Sequence, residues 1–449
     1  MIPKLLDLVR RSAGATGADC LWRRSERTTV AFESGRLKAA GITEEAGVNL
    51  RVVSGGRVGI AGSTAVEAGP ADLLARALAS AELGEPLALT FPPSALLPPV
   101  ATSFDRAASA PLDALIAIGR ELVERLAREG CQVNVTVERE IAATRVANTA
   151  GADGAYRSTG VGVSAEVWRI SGNDVLAIGD SFEGADLPSA EAITALVRSI
   201  ESRLTLALTV VEPPEGSLPV VFTPAGLSAL FLPVTQALSG KTVLQGISPL
   251  AGKVGEQVFD RAFTLTDDPL AAGRTASRPI DDECVPSRVT ALVERGVVKQ
   301  FIYDLETAAR AGTASTGHGQ RGIFSKPGAG YTNIILGDGG RDTGAVGARH
   351  ASPLPLGGGL LADIKDGLLV DDLIGVGQGN VIGGAFSHPV ALAYRIERGQ
   401  ITGRVKDAAV AGNSYDLLKR IGGFGNDRRW YGGRSTPSLL LEGVSIARR

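Results

Sequence analysis

The residues most capable of chemistry in this 449-residue chain are a histidine on a glycine-rich segment and a cysteine beside an acidic run. His318 lies within residues 317–322, where it could present an imidazole on a flexible loop. Cys284 directly follows the acidic residues 281–283 and could supply a thiolate nucleophile. Nothing in the sequence brings the two side chains together, and neighbouring carboxylates raise the pKa of a thiol instead of lowering it. A cysteine–histidine enzyme is therefore an open but disfavoured interpretation.

Metal-ligand spacing is the next test. The chain contains three histidines, His318, His350 and His388. None has a second histidine three to five residues away, so no helix presents a histidine pair to a metal ion. The aspartate doublets at 267–268, 281–282 and 371–372 point adjacent side chains in different directions, and we predict solvated turns there. Spacing alone therefore gives no strong metal site or active site.

A glycine-rich run at 375–380, GVGQGN, follows a strand-like segment at 368–374. A dinucleotide-binding loop needs a helix immediately after it, because the helix N-terminus meets the pyrophosphate. No helix can be predicted after Asn380, and the spacing is GxGxG instead of GxGxxG. We predict a structural turn at this run.

Composition excludes several classes of protein. Lys plus Arg is 46 and Asp plus Glu is 48, a net charge of −2, so the basic footprint of a nucleic-acid binder is absent. Three separate cysteines without a CxxC pair are typical of a reducing compartment. The first residues are interrupted by charges, and no stretch is long and apolar enough for a signal peptide or a membrane span. We expect a cytoplasmic protein with neither a nucleic-acid nor a membrane partner.

The elements that must position these residues fall into two parts. We predict an N-terminal α/β domain of residues 1–212, with antiparallel strands and a proline-rich loop at about 86–111. A strand-rich C-terminal domain is predicted for residues 216–449. The predicted elements of the first part are a helix at the N-terminus, turns at 32–37 and 53–58, helices at 71–81, from 112 and at about 189–204, and strands at 133–137, 141–148 and 161–167.

The second part opens with a strand at 218–222 and then a helix. Thr223 is the predicted N-cap, Pro224 the first helical residue and Gly240 the end of this helix. A hairpin pattern recurs at 32–37, 293–298 and 396–401, in which a glycine takes positive φ. The three copies indicate either repeated units or one favoured turn.

Several segments of the second half resemble the TldD/PmbA family, once called modulators of DNA gyrase. Each segment is weak alone, but their order along the chain is specific. The resemblance covers roughly residues 215–447 well and the N-terminal half only in layout. The segments are KVGEQVF at 253–259, TLTDDP at 264–269, SRPIDDECVPS at 277–287, 307–317 ending in STG, IGVGQGN at 374–380, AFS at 385–387, AGN at 411–413, GND at 425–427 and PSLLLEG at 437–443.

The resemblance implies an α+β fold with a two-domain TldD/PmbA-like architecture. It also implies a cytosolic, heterodimeric zinc protease that trims small or unfolded peptides, including leader peptides. The TldD-type chain of such a pair carries HExxxH on a helix and a third ligand, a cysteine, near its C-terminus.

The helix that would carry HExxxH corresponds to residues 223–240. Its central stretch at 228–236 reads SALFLPVTQ, with no His, no Glu and a proline that disfavours a regular helix. The segment that would carry the cysteine reads GNDRRWY at 425–431. Zinc hydrolysis needs three ligands, an open position and usually a carboxylate base. The resemblance therefore implies a TldE/PmbA-type subunit with no catalytic residue, no metal ligand and no cofactor, the zinc lying on the partner.

We expect this subunit to support a TldD-like, HExxxH-bearing partner in the proteolysis of unfolded or leader peptides. The expected binding mode is addition of the peptide as a strand to an exposed sheet edge. Glycine-rich loops at 317–322, 357–359 and 375–384 are the candidates for lining the peptide channel, through Gly317, His318, Gly319, Gly375, Gly377, Gly379 and Asn380.

Two alternative functions stay open at this point. One is a freestanding peptide-binding or chaperone-like protein, and the other is an enzyme that uses Cys284 or His318. A regulator of DNA gyrase is disfavoured by the near-neutral charge.

Overall fold

The computed structural model describes residues 1–65, 69–172, 174–337 and 356–449. His350 lies outside the described residues. In the described part of the chain, no helix combines the length and apolar character needed to cross a membrane.

One antiparallel sheet organises the N-terminal half, with strand order β3-β2-β1-β4-β5-β6. Its strands alternate buried and exposed side chains, which is the pattern of a sheet with one face on a core. The predicted interruption between residues 137 and 141 is wrong, because β4 continues through it. The strands are β1 (Gly17–Glu33), β2 (Arg36–Ser54), β3 (Arg57–Ser63), β4 (Cys131–Asn148), β5 (Asp153–Ser171) and β6 (Asp174–Gly184).

Helices cover one face of this sheet at two places. α1 and α2 pack around Cys20, and α4 and α5 pack around Val30. These residues share a face of β1, since an even number of positions separates them. The opposite face is left for the C-terminal half, where Leu21 packs against Ile280. The helices are α1 (Ile2–Arg11), α2 (Pro70–Glu82), α3 (Asp105–Ser109), α4 (Leu112–Leu126) and α5 (Ala190–Leu206).

The proline-rich segment at 86–111 is not entirely a loop, because it contains the short helix α3. The segment lies along β5: the Thr159 backbone N–H donates to the Thr102 carbonyl, and the Phe104 N–H donates to the Thr159 hydroxyl. Because β6 pairs with β5 only from Val161 onward, the segment covers the part of the β5 edge that β6 leaves open.

The C-terminal half contains a sheet of order β15-β8-β22-β18-β16-β17-β7, with β19 beside β22, and a second of order β11-β10-β9-β14-β21-β20. One buried apolar cluster contains Val135 as well as Leu369. The division at residues 212–216 stays a prediction. The strands are β7 (Val210–Val211), β8 (Gly216–Phe222), β9 (Leu265–Asp267), β10 (Thr290–Glu294), β11 (Val297–Val298), β12 (Gly319–Gln320), β13 (Gly328–Ala329), β14 (Ile334–Leu336), β15 (Asp366–Leu373), β16 (Ala385–Glu397), β17 (Gln400–Val405), β18 (Ala408–Asn413), β19 (Ile421–Phe424), β20 (Arg429–Tyr431), β21 (Arg434–Thr436) and β22 (Leu439–Arg448).

The helix after β8 differs from its prediction. It begins at Ser228 instead of Pro224, because residues 224–227 form turns. Thr223 still acts as a cap, since its hydroxyl accepts the Gly226 N–H at 3.3 Å while it donates to Asp371 at 2.7 Å. The helix also ends before Gly240, which starts the next helix, and it accommodates Pro233 within its ten residues. The helices of this half are α6 (Ser228–Ala237), α7 (Gly240–Leu244), α8 (Leu305–Ala311) and α9 (Ser414–Leu417), with a 3₁₀ turn at Val381–Gly383.

The three predicted hairpins are confirmed. Positive φ occurs at both central residues of each turn, Ser34-Gly35, Arg295-Gly296 and Arg398-Gly399, which is the type I′ geometry that matches strand twist. The hairpins lie in three different sheets. Their common feature is therefore the turn.

Close packing of α2 on β3 gives a direct test of the fold. A Cβ on Gly59 would overlap the Ala77 carbonyl oxygen and the Ala81 amide nitrogen. We expect Gly59→Ala to lower the free energy of unfolding by roughly 1–3 kcal/mol, the usual cost of overpacking. The matched control is Gly162→Ala on β5, where a Cβ meets nothing within 4 Å; it should be neutral or stabilising by up to about 1 kcal/mol. Urea unfolding measures both, and a Gly59→Ala variant as stable as the control would contradict this packing.

Candidate functional site

A cleft of about 270 Å³ lies beside α6. This helix corresponds to the one that we expect to bind the metal in a TldD-type chain. Leu232 and Pro233 of α6 form one wall, and the loop at 374–378 forms another. β16 supplies the rim, where the rings of Phe386 and His388 stack with centroids 5.9 Å apart and an interplanar angle of 12°. The cleft therefore combines apolar side chains with polar surface from the backbone and from Gln378, Ser387 and His388.

Among the described residues that line this cleft, His388 is the only one with a side chain of a type that commonly binds zinc. Burial lowers its pKa, and a hydrogen bond to the Ile374 backbone partly opposes that effect. Across the described part of the chain, no three His, Cys, Asp or Glu side chains are grouped to hold a metal ion. The residues of this cleft do not suit a zinc ion, which needs three ligands.

The glycine loop at 375–380 forms a turn, as predicted, and a 3₁₀ turn follows it in place of a long helix. Gly375, Gly377 and Gly379 all have positive φ. Gly377, Gly379 and Asn380 are exposed, and Gly375 is half-buried. Gly375 and Gly377 line the cleft. The expectation that these residues contact peptide stays a prediction.

The other predicted loop lies elsewhere and is covered. Gly317, His318 and Gly319 are buried. The His318 Nδ1 lies 2.8 Å from the Thr316 hydroxyl, and its Nε2 lies 3.1 Å from an Asp267 carboxylate oxygen. Both ring nitrogens therefore have partners inside the protein. The role of these three residues at a peptide channel also stays a prediction.

The prediction that the aspartate doublets are solvated turns is wrong for Asp267, Asp281, Asp282 and Asp371, which are buried. Asp281 shows why burial is tolerated. Its carboxylate accepts backbone N–H groups from Glu283, Val285 and Gly319 at 2.8–2.9 Å. Burial raises the pKa of Asp281, and these bonds oppose that effect.

A buried ion network joins these loops to the N-terminal sheet. Arg51 of β2 donates to Asp19 of β1 and, at 2.6 Å, to Glu283. Arg321 donates to the same Asp19 carboxylate at 2.8 Å. The side chains of Arg51, Asp19, Glu283 and Arg321 are almost completely inaccessible to solvent. The network therefore fixes residues 281–283 and 319–321 against the face of the sheet that α1, α2, α4 and α5 leave open.

The carboxyl group of Glu283 has a raised pKa in this network. Burial raises its pKa to about 7, and nearby Asp281 and Asp304 add to the shift while Arg51 opposes it. Its second oxygen accepts the Leu305 N–H at the start of α8, at 2.7 Å. A Cβ on Gly319 would lie 2.5 Å from this oxygen, which explains a glycine at that position.

Cys284 lies next to this network in a buried apolar cluster with Leu21 and Ile280. Burial raises the pKa of its thiol, and Asp19 and Asp281 raise it further. The direction of this shift confirms the prediction made from the acidic neighbours. A buried, protonated thiol is a poor nucleophile.

A second ion network ties α5 to the C-terminal half. Arg203 donates to Asp371 at 2.9 Å and lies 3.2 Å from Asp180. Arg429 of β20 forms two bonds to the same Asp180 carboxylate. Burial and these guanidinium groups act in opposite directions, and the net effect holds the pKa of Asp180 well below its usual value.

One long sheet edge is open among the described residues. β2 pairs with β1 from residue 36 to residue 53, but β3 reaches only as far as Val48. Residues 36–45 of β2 are exposed, and Leu37 and Ile42 are the large apolar side chains among them. Sequence reasoning missed this edge, because the length of β3 decides how much of β2 stays unpaired.

Comparison with known families identifies two matching regions. Residues 215–448 match the "PmbA/TldA metallopeptidase C-terminal domain". Residues 18–81 match the "PmbA/TldA metallopeptidase domain 1". The family predicted from the sequence is confirmed.

Curated relatives carry metalloprotease names. A "Metalloprotease" of Methanothermobacter thermautotrophicus is 29% identical over 248 residues, which are 55% of this chain and 51% of that protein. The "Metalloprotease TldD homolog" and "Metalloprotease PmbA homolog" of Haemophilus influenzae are 30% and 27% identical, over 48% and 51% of this chain and 42% and 46% of their own lengths. The chain thus spans about half the length of the curated relatives it matches.

Solved structures match over nearly the whole chain. TldE from Thermococcus kodakarensis has a TM-score of 0.86 at 24% identity, covering 99% of both chains. A protein from Thermotoga maritima described as a modulator of a DNA gyrase has a TM-score of 0.86 at 23% identity, again covering 99% of each. These similarities confirm the predicted α+β architecture.

The raised pKa of Glu283 predicts a pH-dependent stability. Between about pH 4.5, its ordinary value, and pH 7, the native state keeps a proton that the unfolded chain has released. The contribution of Glu283 is therefore full below that window and declines as the pH rises through it. We expect the difference in free energy of unfolding between the wild type and Glu283→Gln to fall across this window in urea titrations. Glu129→Gln at the surface is the control, and a difference that is independent of pH would contradict the assignment.

Proposed function

Because the chain belongs to the PmbA/TldA metallopeptidase family, we propose that it is the non-catalytic subunit of a heterodimeric zinc metalloprotease. Its partner is a TldD-like chain that bears HExxxH, and the pair acts in the cytoplasm on unfolded or leader peptides. One observation carries the proposal: the helix at the motif position presents Leu232 and Pro233 to its cleft. Neither side chain can ligate zinc or accept a proton from water.

Burial of the other reactive groups supports the same conclusion. Cys284 is buried and its thiol pKa is raised, and both nitrogens of His318 are occupied by Thr316 and Asp267. A nucleophile and base would need to reach a substrate. If the chain had its own cysteine–histidine chemistry, Cys284→Ala would abolish cleavage. Our proposal expects the reconstituted protease to keep its activity in that variant, provided that it folds.

The open edge of β2 is the proposed place for peptide binding by strand addition. Residues 36–45 contain no proline and offer unpaired backbone groups on one side. Such an edge pairs with an extended peptide through backbone hydrogen bonds, which makes binding tolerant of sequence. Tolerance of this kind is suited to unfolded or leader peptides.

The first experiment is reconstitution. The purified chain, a TldD-like chain from the same cell and their mixture are each incubated with a fluorogenic unfolded peptide. We expect cleavage only by the mixture. A mixture whose partner has the motif glutamate replaced by glutamine is the control, and it should be inactive. Cleavage by this chain alone would contradict the proposal, and peptide binding without any effect of the partner would favour the chaperone-like alternative.

Strand addition makes a separate prediction about the substrate. Scrambling the side chains of a cleaved peptide should change its KM only a few-fold, because the backbone is recognised. Methylating alternate backbone nitrogens removes donors of about 0.5–1.5 kcal/mol each and should raise KM by roughly tenfold or more. The measurement is steady-state cleavage by the mixture. Equal KM values for methylated and unmethylated peptides would exclude this binding mode.

A further inference from the structure

The loop that borders the α6 cleft has an alternating backbone. Gly375, Gly377 and Gly379 have positive φ, whereas Val376 and Gln378 between them do not. The Gln378 N–H donates to the Gly375 carbonyl, which closes a turn over Val376 and Gly377. Successive backbone N–H groups in a turn can form an anion-binding nest, so this loop is a candidate for one.

The donors of this nest are free of other bonds. Within the described residues, the N–H groups of Val376 and Gly377 donate to no carbonyl or side chain, whereas the Gln378 N–H donates to the Gly375 carbonyl at 3.2 Å. Buried or half-buried N–H groups are normally satisfied. Val376 is half-buried and Gly377 is exposed, and both line the cleft, so the rule applies to Val376.

The remaining walls define what else the ligand must carry. A Cβ on Gly377 would lie 3.5 Å from Leu232, so α6 faces the nest directly. Pro233, Ile374 and Phe386 extend the apolar surface, and no Asp, Glu, Lys or Arg lines the cleft among the described residues. At about 270 Å³ the cleft is slightly smaller than the ~300–1,000 Å³ of sites for drug-sized ligands. It has room for about one amino-acid residue.

We propose that this cleft binds the C-terminal residue of a short peptide. The Val376 and Gly377 N–H groups hold the carboxylate, and Leu232 and Pro233 hold an apolar side chain. Capture of a terminal carboxylate by backbone N–H groups is a known mode of peptide recognition. The inference deepens the proposed function, on which it relies for the source of the peptide.

A carboxylate suits the cleft better than a phosphate group. No cationic side chain lines it, so a doubly charged anion would lose more hydration energy than two N–H groups restore. A carboxylate carries a single charge, and in a peptide it is attached to the apolar group that the walls need. Inorganic phosphate is therefore a useful negative probe.

The test compares two ligands that differ in one group. Acetyl-Ala-Leu with a free carboxylate, its C-terminal amide and inorganic phosphate are titrated by calorimetry into the full chain and into the reconstituted pair. We expect the free acid to bind at least about tenfold more tightly than the amide, the effect of losing charge-assisted hydrogen bonds. Equal affinities for acid and amide, or no binding of the acid to either preparation, would overturn the inference.

A variant that fills the cleft and a matched control locate the site. Leu232→Trp fills the cleft and should lower the affinity for the free acid by at least about tenfold. Leu208→Trp, at an exposed leucine elsewhere, should leave it unchanged. Ser387→Trp at the exposed rim blocks the cleft without changing the core and replaces Leu232→Trp if that variant does not fold. Wild-type affinity in a folded, blocked variant would place binding elsewhere.

This result is distinguishable from the result of reconstitution. Peptide-acid binding is read on the chain without any cleavage, whereas the subunit proposal is read from cleavage by the mixture. Cleavage by the mixture without carboxylate discrimination would overturn only the present inference. Carboxylate binding without partner-dependent cleavage would overturn only the subunit role.

Discussion

The contact between the N-terminal sheet and the loops of the C-terminal half depends on Arg51, a cation whose side chain is almost completely inaccessible to solvent. It lies between Asp19 of the neighbouring strand and Glu283 of the C-terminal half. Removing one partner of such a buried pair costs about 3–5 kcal/mol, because a charge is left without compensation. The network therefore holds the loops at 281–283 and 319–321 in one position on the sheet. Arg203 of α5 links that helix to β15 through a second buried ion pair, with Asp371.

Local chemistry in the sequence predicted local structure well. The two-residue turns with glycine at positive φ need no distant partner. The Ser189 side chain likewise caps α5 locally, because it accepts the Ala192 N–H. Burial of the acidic residues could not be predicted in the same way. Glu283 meets Arg51 across 232 positions of sequence, so no window around residues 281–283 contains the cation that makes burial possible. The start of α6 was misplaced because residues 224–227 form turns before the helix, although the Thr223 hydroxyl accepts the Gly226 N–H as a cap does.

The candidate site also has features that could be predicted from the sequence and features that could not. The absence of ligands at 228–236 could be read from the sequence, because it concerns residue types at one helix. The cleft could not, since Leu232 and the glycine loop at 375–379 come from distant parts of the chain. The glycines of that loop were recognised as a turn, whereas the direction of their N–H groups depends on the φ of each residue. The helix that we expect to carry the zinc site in a TldD-like chain is here a wall of a cleft with no charged side chain among the described residues, and this difference is the physical basis of the proposed division of labour.

The central claim is that this chain supports zinc proteolysis without holding the zinc. The most direct measurement is the metal content of each chain, determined by atomic spectroscopy after the reconstituted pair is dialysed and its subunits are separated under non-chelating conditions. The account predicts about one zinc per TldD-like chain and essentially none on this chain. Stoichiometric zinc on this chain would contradict it, and would mean that ligands outside the α6 cleft form a metal site.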